Sequence, residues 1–195
     1  MDQFKDKVIL ITGAGKGAGR ALALAFAERG AVVAANDISP VNVDQVVAEI
    51  LSSGGRAKAY IEDVAKKVGV QYLVNSVEED FGGIDILVSH AAVEPHSPLM
   101  EMDEWDWHRT LDVNLTGVFL MIQSTARVMQ AKGKGQILII AAGSGRGAAY
   151  LSSMAGLTVL SHQAALELKP HGVHVHTIEN SGTVVMDVLS ILEDE

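Results

Sequence analysis

Cysteine is absent from the 195 residues, which excludes disulfides and thiolate metal sites. Its absence fits a reducing cytoplasm, the compartment expected for this chain. Positive charge is scarce: 15 Lys and Arg stand against 24 Asp and Glu, a net charge of −9. Nucleic acid and anionic membrane surfaces reward a basic face, so neither is expected as a partner. No apolar run reaches about 18 residues, which leaves out a transmembrane helix. The opening Met1-Asp2-Gln3-Phe4-Lys5-Asp6-Lys7 has no apolar stretch of the kind a secretion signal needs. Linkers and low-complexity segments are missing too. One domain over residues 1–195 is therefore expected, and with 48% apolar residues it can bury a sizeable core.

What the chain does have is regular alternation. Apolar runs over 8–12, 31–36, 58–61, 84–88, 136–141 and 173–178 read as strands. Between them, helical spacing covers 21–29, 42–51, 68–81, 102–109, 113–129 and 151–168. Continuous apolar strands separated by amphipathic helices predict a doubly wound α/β fold. Its parallel sheet has about six strands, with helices on both faces and right-handed crossovers. In such a sheet ligands gather beyond the carboxyl ends of the strands, where the strand order reverses.

The segment that meets this expectation first is Thr12-Gly13-Ala14-Gly15-Lys16-Gly17-Ala18-Gly19. It follows a buried strand and opens a helix, which makes it far more specific than glycines alone. Gly13 suits the tight turn, Gly17 a close backbone approach to a pyrophosphate, and Gly19 close packing of helix on strand. The helix start then offers free N–H groups and the positive end of its dipole to phosphates. A dinucleotide is the expected ligand.

Asp37 closes the second strand, where a carboxylate can accept hydrogen bonds from an adenosine ribose and repel a 2′-phosphate. That reading favours NAD over NADP. Asp37-Ile38-Ser39-Pro40 also reads as a turn with a helix cap, so a local structural role stays open. Lys16, inside the phosphate loop, points the other way, towards a 2′-phosphate, or is a solvated lysine.

These motifs, with Asp63-Val64 after the third strand, Asp112-Val113-Asn114 on the fifth helix and Tyr150-Leu151-Ser152-Ser153 before a long helix, resemble the short-chain dehydrogenase/reductase family. Phe81-Gly82-Gly83-Ile84-Asp85-Ile86-Leu87-Val88 adds to the likeness, which runs from about Lys5 to Ile178. The resemblance implies a Rossmann fold and hydride transfer between a nicotinamide and a carbonyl or alcohol. It implies adenine contacts at Asp63 and Val64. Ser89-His90-Ala91-Ala92 stands in place of the family's Asn-Asn-Ala-Gly, so that His90, Ala91 and Ala92 line the nicotinamide side. Tyr150 falls on the family's general acid or base, and Asn114 on its relay asparagine. The two long helices imply a homodimer formed across a two-fold axis.

Departures from the family pattern are as telling. Its lysine, one helical turn after the tyrosine, is Met154 here. Its serine pair falls on Ala141-Ala142, with Ser144 in a glycine-rich turn as a weaker stand-in. A free tyrosine titrates near pKa 10 and a neighbouring ammonium lowers that by roughly one to three units. Without the lysine, Tyr150 stays protonated at neutral pH: able to donate to a carbonyl, poor as a base. Loss of one oxyanion-type donor costs on the order of 10²–10³ in rate. The family's Pro-Gly after the sixth strand is missing from His174–Gly182. After Met186 only a short acidic stretch remains, so the family's last strand and substrate-lid helices are expected to be lacking.

Other constellations have plainer readings. His171, His174 and His176 lack a carboxylate at ligand spacing, and no metal is expected. His90 and His96 flank the mouth of the crevice as loop histidines that could substitute for missing acids. Trp105, Trp107 and Phe119 suit packing or subunit contact, and Met121, Met129 and Met154 suit core or interface filling. The function expected is an NAD-dependent oxidoreductase with an impaired site, acting on a small carbonyl or alcohol. The alternative is a non-catalytic dinucleotide-binding or scaffolding subunit.

Overall fold

A computed structural model describes residues 4–141, 147–179 and 181–193. Strand β1 (Val8–Thr12) leads into helix α1 (Gly17–Ala27), and β2 (Val32–Asn36) into α2 (Pro40–Ser52). Next come β3 (Arg56–Tyr60), α3 (Lys67–Phe81) and β4 (Ile86–Ser89). Helix α4 (Glu104–Leu111) runs through a π-helical turn, Asp112–Gly117, into α5 (Val118–Lys132). Strand β5 (Gly135–Ala141), helix α6 (Ala148–Leu168), strand β6 (Val173–Glu179) and helix α7 (Val184–Glu193) complete the order.

The strands form one sheet in the order β3-β2-β1-β4-β5-β6, and every pairing is parallel. Alternate residues of each strand feed opposite faces, because side chains in a strand point to either side in turn. Val8 and Leu10 join Leu87, Ile137 and Ile139 under α3, α5 and α6. Ile9 and Ile11 join Ile86, Val88 and Leu138 under α1, α2 and α7. Both faces are covered, which is why the strands read as unbroken apolar runs rather than alternating ones.

Three helices begin two or more residues earlier than the apolar spacing predicts. Helix α1 starts inside the glycine motif at Gly17. Helix α2 starts at Pro40, because Ser39 caps it by accepting from the N–H of Asn42, and proline suits a first helical position. Helix α6 starts at Ala148, so Tyr150 lies in its first turn. The stretch after Met186 is more than an acidic tail. Val184, Val188 and Leu189 of α7 are buried in the cluster that contains Leu22 and Phe26 of α1. No helix among the described residues is long and apolar enough to cross a membrane.

Candidate active site

The reversal of strand order falls between β1 and β4, so the carboxyl ends of these two strands open the crevice. Thr12 stitches them together. Its buried hydroxyl accepts the N–H groups of His90 at 3.1 Å and Ala91 at 3.2 Å. Gly13, at φ 68°, turns the chain away from β1. A Cβ there would stand 2.9 Å from the Cα of Ala91, and one on Gly19 would meet the Gly13 carbonyl. The turn is thus held bare by its own backbone. Lys16 precedes α1 without a side-chain cap, and the first turn carries no acidic residue. The N–H groups at this helix start have no side-chain cap, an arrangement that could hold an anion.

Asp37 sits beyond β2 with both oxygens engaged. Oδ2 accepts the N–H of Gly15 at 2.9 Å and Oδ1 that of Ser39 at 2.9 Å. The turn reading of Asp37 is therefore real, and its carboxylate still borders the crevice. At Gly15 a Cβ would lie 2.8 Å from this same Oδ2. Past β3, Asp63 accepts the N–H of Ala65 at 3.0 Å and pairs with Arg109 of α4 at 3.1 Å.

These pieces enclose a cleft of about 380 Å³. Among the residues singled out from sequence, Gly13, Lys16, Asp37, Ile38, Asp63, Val64, His90, Ala91, Ala92 and Tyr150 line it. Gly15, Gly17, Ala18 and Gly19 shape the turn behind that lining. Gly17 keeps a positive φ of 55° with open space at its Cβ position. Ala142–Arg146, which include the weighed Ser144, lie outside the described residues.

Tyr150 and Met154 share the far wall, both buried, with Val93, Glu94 and Ile140. Burial pushes the Tyr150 phenol above its ordinary pKa, and the Glu94 carboxylate adds to the rise. Asn114 does not face the cleft. Its Oδ1 accepts the Val93 N–H at 2.8 Å, and its Nδ2 donates to the Val93 carbonyl at 2.9 Å and to Ser153 Oγ at 3.1 Å. Ser153 in turn donates to the Tyr150 carbonyl at 2.7 Å.

The model of the short chain dehydrogenase family matches residues 7–190. The chain belongs to the short-chain dehydrogenase family. An uncharacterized oxidoreductase from Thermotoga maritima is 37% identical over 180 residues, 90% of this chain and 71% of that protein. D-threitol dehydrogenase of Mycolicibacterium smegmatis is 37% identical over 188 residues, covering 94% of this chain and 72% of that one. Among solved structures, NAD+-bound xylitol dehydrogenase superposes with a TM-score of 0.86 at 31% identity, over 95% of this chain and 75% of that chain.

Sequence reasoning missed Arg109 and Glu94 in this short-chain dehydrogenase cleft. Arg109 was within reach, since it lies four residues, one helical turn, before Val113 of the Asp112-Val113-Asn114 motif, and both line the cleft. Its partner Asp63 is 46 residues away, so the pairing itself left no spacing to read. Trp105 is exposed and Phe119 partly so, which leaves both free for contact rather than core packing. Met121 and Met129 are core residues.

Proposed function

We propose that the cleft binds a nicotinamide adenine dinucleotide, NAD ahead of NADP, and that hydride-transfer chemistry in this chain is weak. The observation that carries the reading is the junction of Asp37 with Gly15. One carboxylate braces the phosphate turn while standing at the strand end where an adenosine ribose is recognised. A 2′-phosphate there would face a fixed negative charge. Gly13 and Gly19 keep the turn bare, α1 offers uncapped N–H groups, and Asp63 with Val64 closes the adenine side.

A bound nicotinamide dinucleotide supplies or receives the hydride. The chain's own groups bind it, orient it and move the proton. Tyr150, held protonated by burial and by Glu94, is fit to donate from its Oη to a carbonyl undergoing reduction. It is unfit to deprotonate an alcohol at neutral pH. Met154 places a thioether where an ammonium would lower that phenol's pKa. Asn114 acts by fixing Val93 and the first turn of α6, on which Tyr150 stands.

Burial of Met154 in the cleft wall favours a second reading, that of a dinucleotide-binding subunit without turnover. A dimer through α5 and α6 suits either, using the groove lined by Phe119, Ile122, Ala126, Leu160, Ala164 and Leu168. The test is NADH binding by fluorescence together with NADH oxidation over a panel of ketones and aldehydes. Binding with slow reduction supports the first reading, and binding with none supports the second. Rates ordinary for a dehydrogenase would overturn the impairment, and absence of binding would overturn both.

A further inference from the structure

His90 has a buried ring nitrogen, Nδ1, that makes no well-formed hydrogen bond and lies beside the Gly13 carbonyl. The ring is wedged against the bare glycine turn. Its Nδ1 lies 2.8 Å from the point a Cβ on Gly19 would occupy and 3.1 Å from that on Gly13. The main chain beneath is fixed, because the His90 N–H donates to Thr12 Oγ1. A ring so placed takes a second proton only where a counter-charge offsets its burial.

Several charged or titratable groups share the cleft with this ring. They are Lys16 of the turn, Asp37 beyond β2, Glu62 and Asp63 beyond β3, Glu94 of the same segment, Arg109 of α4 and Tyr150 of α6. Asp37 already accepts two backbone N–H groups, and Asp63 is held by Arg109. Burial draws the imidazole below its ordinary pKa, opposed by the Gly13 carbonyl and the Asp37 carboxylate. Burial thus favours the neutral ring. An anion seated on the turn would supply the counter-charge that favours its protonated form.

We propose that His90 is a proton-linked binding residue: a pyrophosphate settling on the glycine turn draws one proton from solvent onto the imidazole. No covalent bond forms or breaks. The inference rests on the dinucleotide reading above and adds to it a residue and a pH dependence. The sign follows from linkage. Affinity rises as pH falls through the bound-state pKa and levels off below the free-state pKa.

The experiment is calorimetric titration of the full chain with NAD+, which survives acid, from pH 5.5 to 8. It is run in buffers of different ionisation enthalpy, so that protons taken up are counted. The dissociation constant should fall about five- to tenfold from pH 8 to pH 6, with net proton uptake. In His90→Gln both the pH slope and the uptake should vanish. Uptake that persists in the variant, or none in the wild type, overturns the proposal. Should the variant not fold, the wild-type His90 ring signals in NMR decide. An upward move of their titration on adding ADP-ribose supports the proposal, and an unmoved titration overturns it. Failure of NAD+ to bind at any pH removes the dinucleotide reading as well, whereas binding without proton uptake removes only this inference.

Discussion

Met154 lies one helical turn beyond Tyr150 on α6, and both side chains are buried in the same wall of the cleft. Burial and Glu94 raise the phenol's pKa, and a thioether does nothing to lower it. Tyr150 should therefore keep its proton past pH 10, and Met154→Lys should bring its titration down by roughly one to three units. NMR of ring-labelled tyrosine checks this, with Tyr150→Phe assigning the signal apart from Tyr60, whose phenol donates to Asp80 and is also raised by burial. The stability sign follows. The unfolded chain gives up the tyrosine proton near its ordinary value while the folded chain retains it, so stability falls as pH climbs above about 10. A wild-type phenol titrating well below that range would contradict the account.

The sheet was legible because β1, β2, β4 and β5 lie between two helix layers, and nothing but continuous apolar sequence satisfies both faces. The glycine turn was legible because a backbone this close to itself tolerates no Cβ. What stayed hidden were contacts between distant segments. Arg109 meets Asp63, and Asn114 meets Val93 and Ser153, through geometry that neither periodicity nor local spacing encodes. Helix α7 was hidden for another reason. Its burial depends on α1, and the acidic residues at its end masked an apolar stripe at 184, 188 and 189.

A dinucleotide straddling the switch point, as proposed, would meet two unlike halves of the cleft. On one side stand Lys16, Asp37 and the Asp63–Arg109 pair; on the other, Val93, Ile140, Tyr150 and Met154. The adenosine diphosphate portion should thus carry most of the affinity. ADP-ribose is expected to bind within about threefold of NADH, a difference below 1 kcal/mol, and nicotinamide mononucleotide far more weakly. Competition against NADH fluorescence measures it. NADH tighter than ADP-ribose by a factor of ten would show that the nicotinamide half contributes substantially.

Asp37 braces the fold and, as proposed, also recognises the ligand; one substitution separates the two roles. Asp37→Ala removes an ionised acceptor of two backbone N–H groups, from Gly15 and Ser39. A hydrogen bond to a charged group contributes roughly 1.5–3 kcal/mol, so urea denaturation should register a loss of about that size. Removing the charge should also shift the ratio of NADP to NAD affinity upward by on the order of tenfold or more. A variant that loses stability with an unchanged cofactor ratio would leave Asp37 a turn residue only.

Asn114 offers the sharpest separation of shape from chemistry. From the π-helical turn between α4 and α5, its carbonyl oxygen accepts from Val93 beyond β4, while its amide nitrogen donates to Val93 and to Ser153 of α6. Asn114→Ala orphans both backbone groups of Val93, at a cost on the order of 2–4 kcal/mol if no water replaces the amide. Asn114→Asp preserves the shape and can still accept the Val93 N–H. Its second oxygen, however, must face the Val93 carbonyl, and burying that unpaired charge is worse than removing the side chain. Asp at this position should therefore destabilise more than Ala near neutral pH, and recover part of the difference as pH falls and the carboxyl protonates into a donor. Urea melts of both variants at pH 5 and pH 8 test the order. An aspartate variant as stable as wild type at pH 8 would mean that donation by the amide nitrogen is not what holds Val93 against α6.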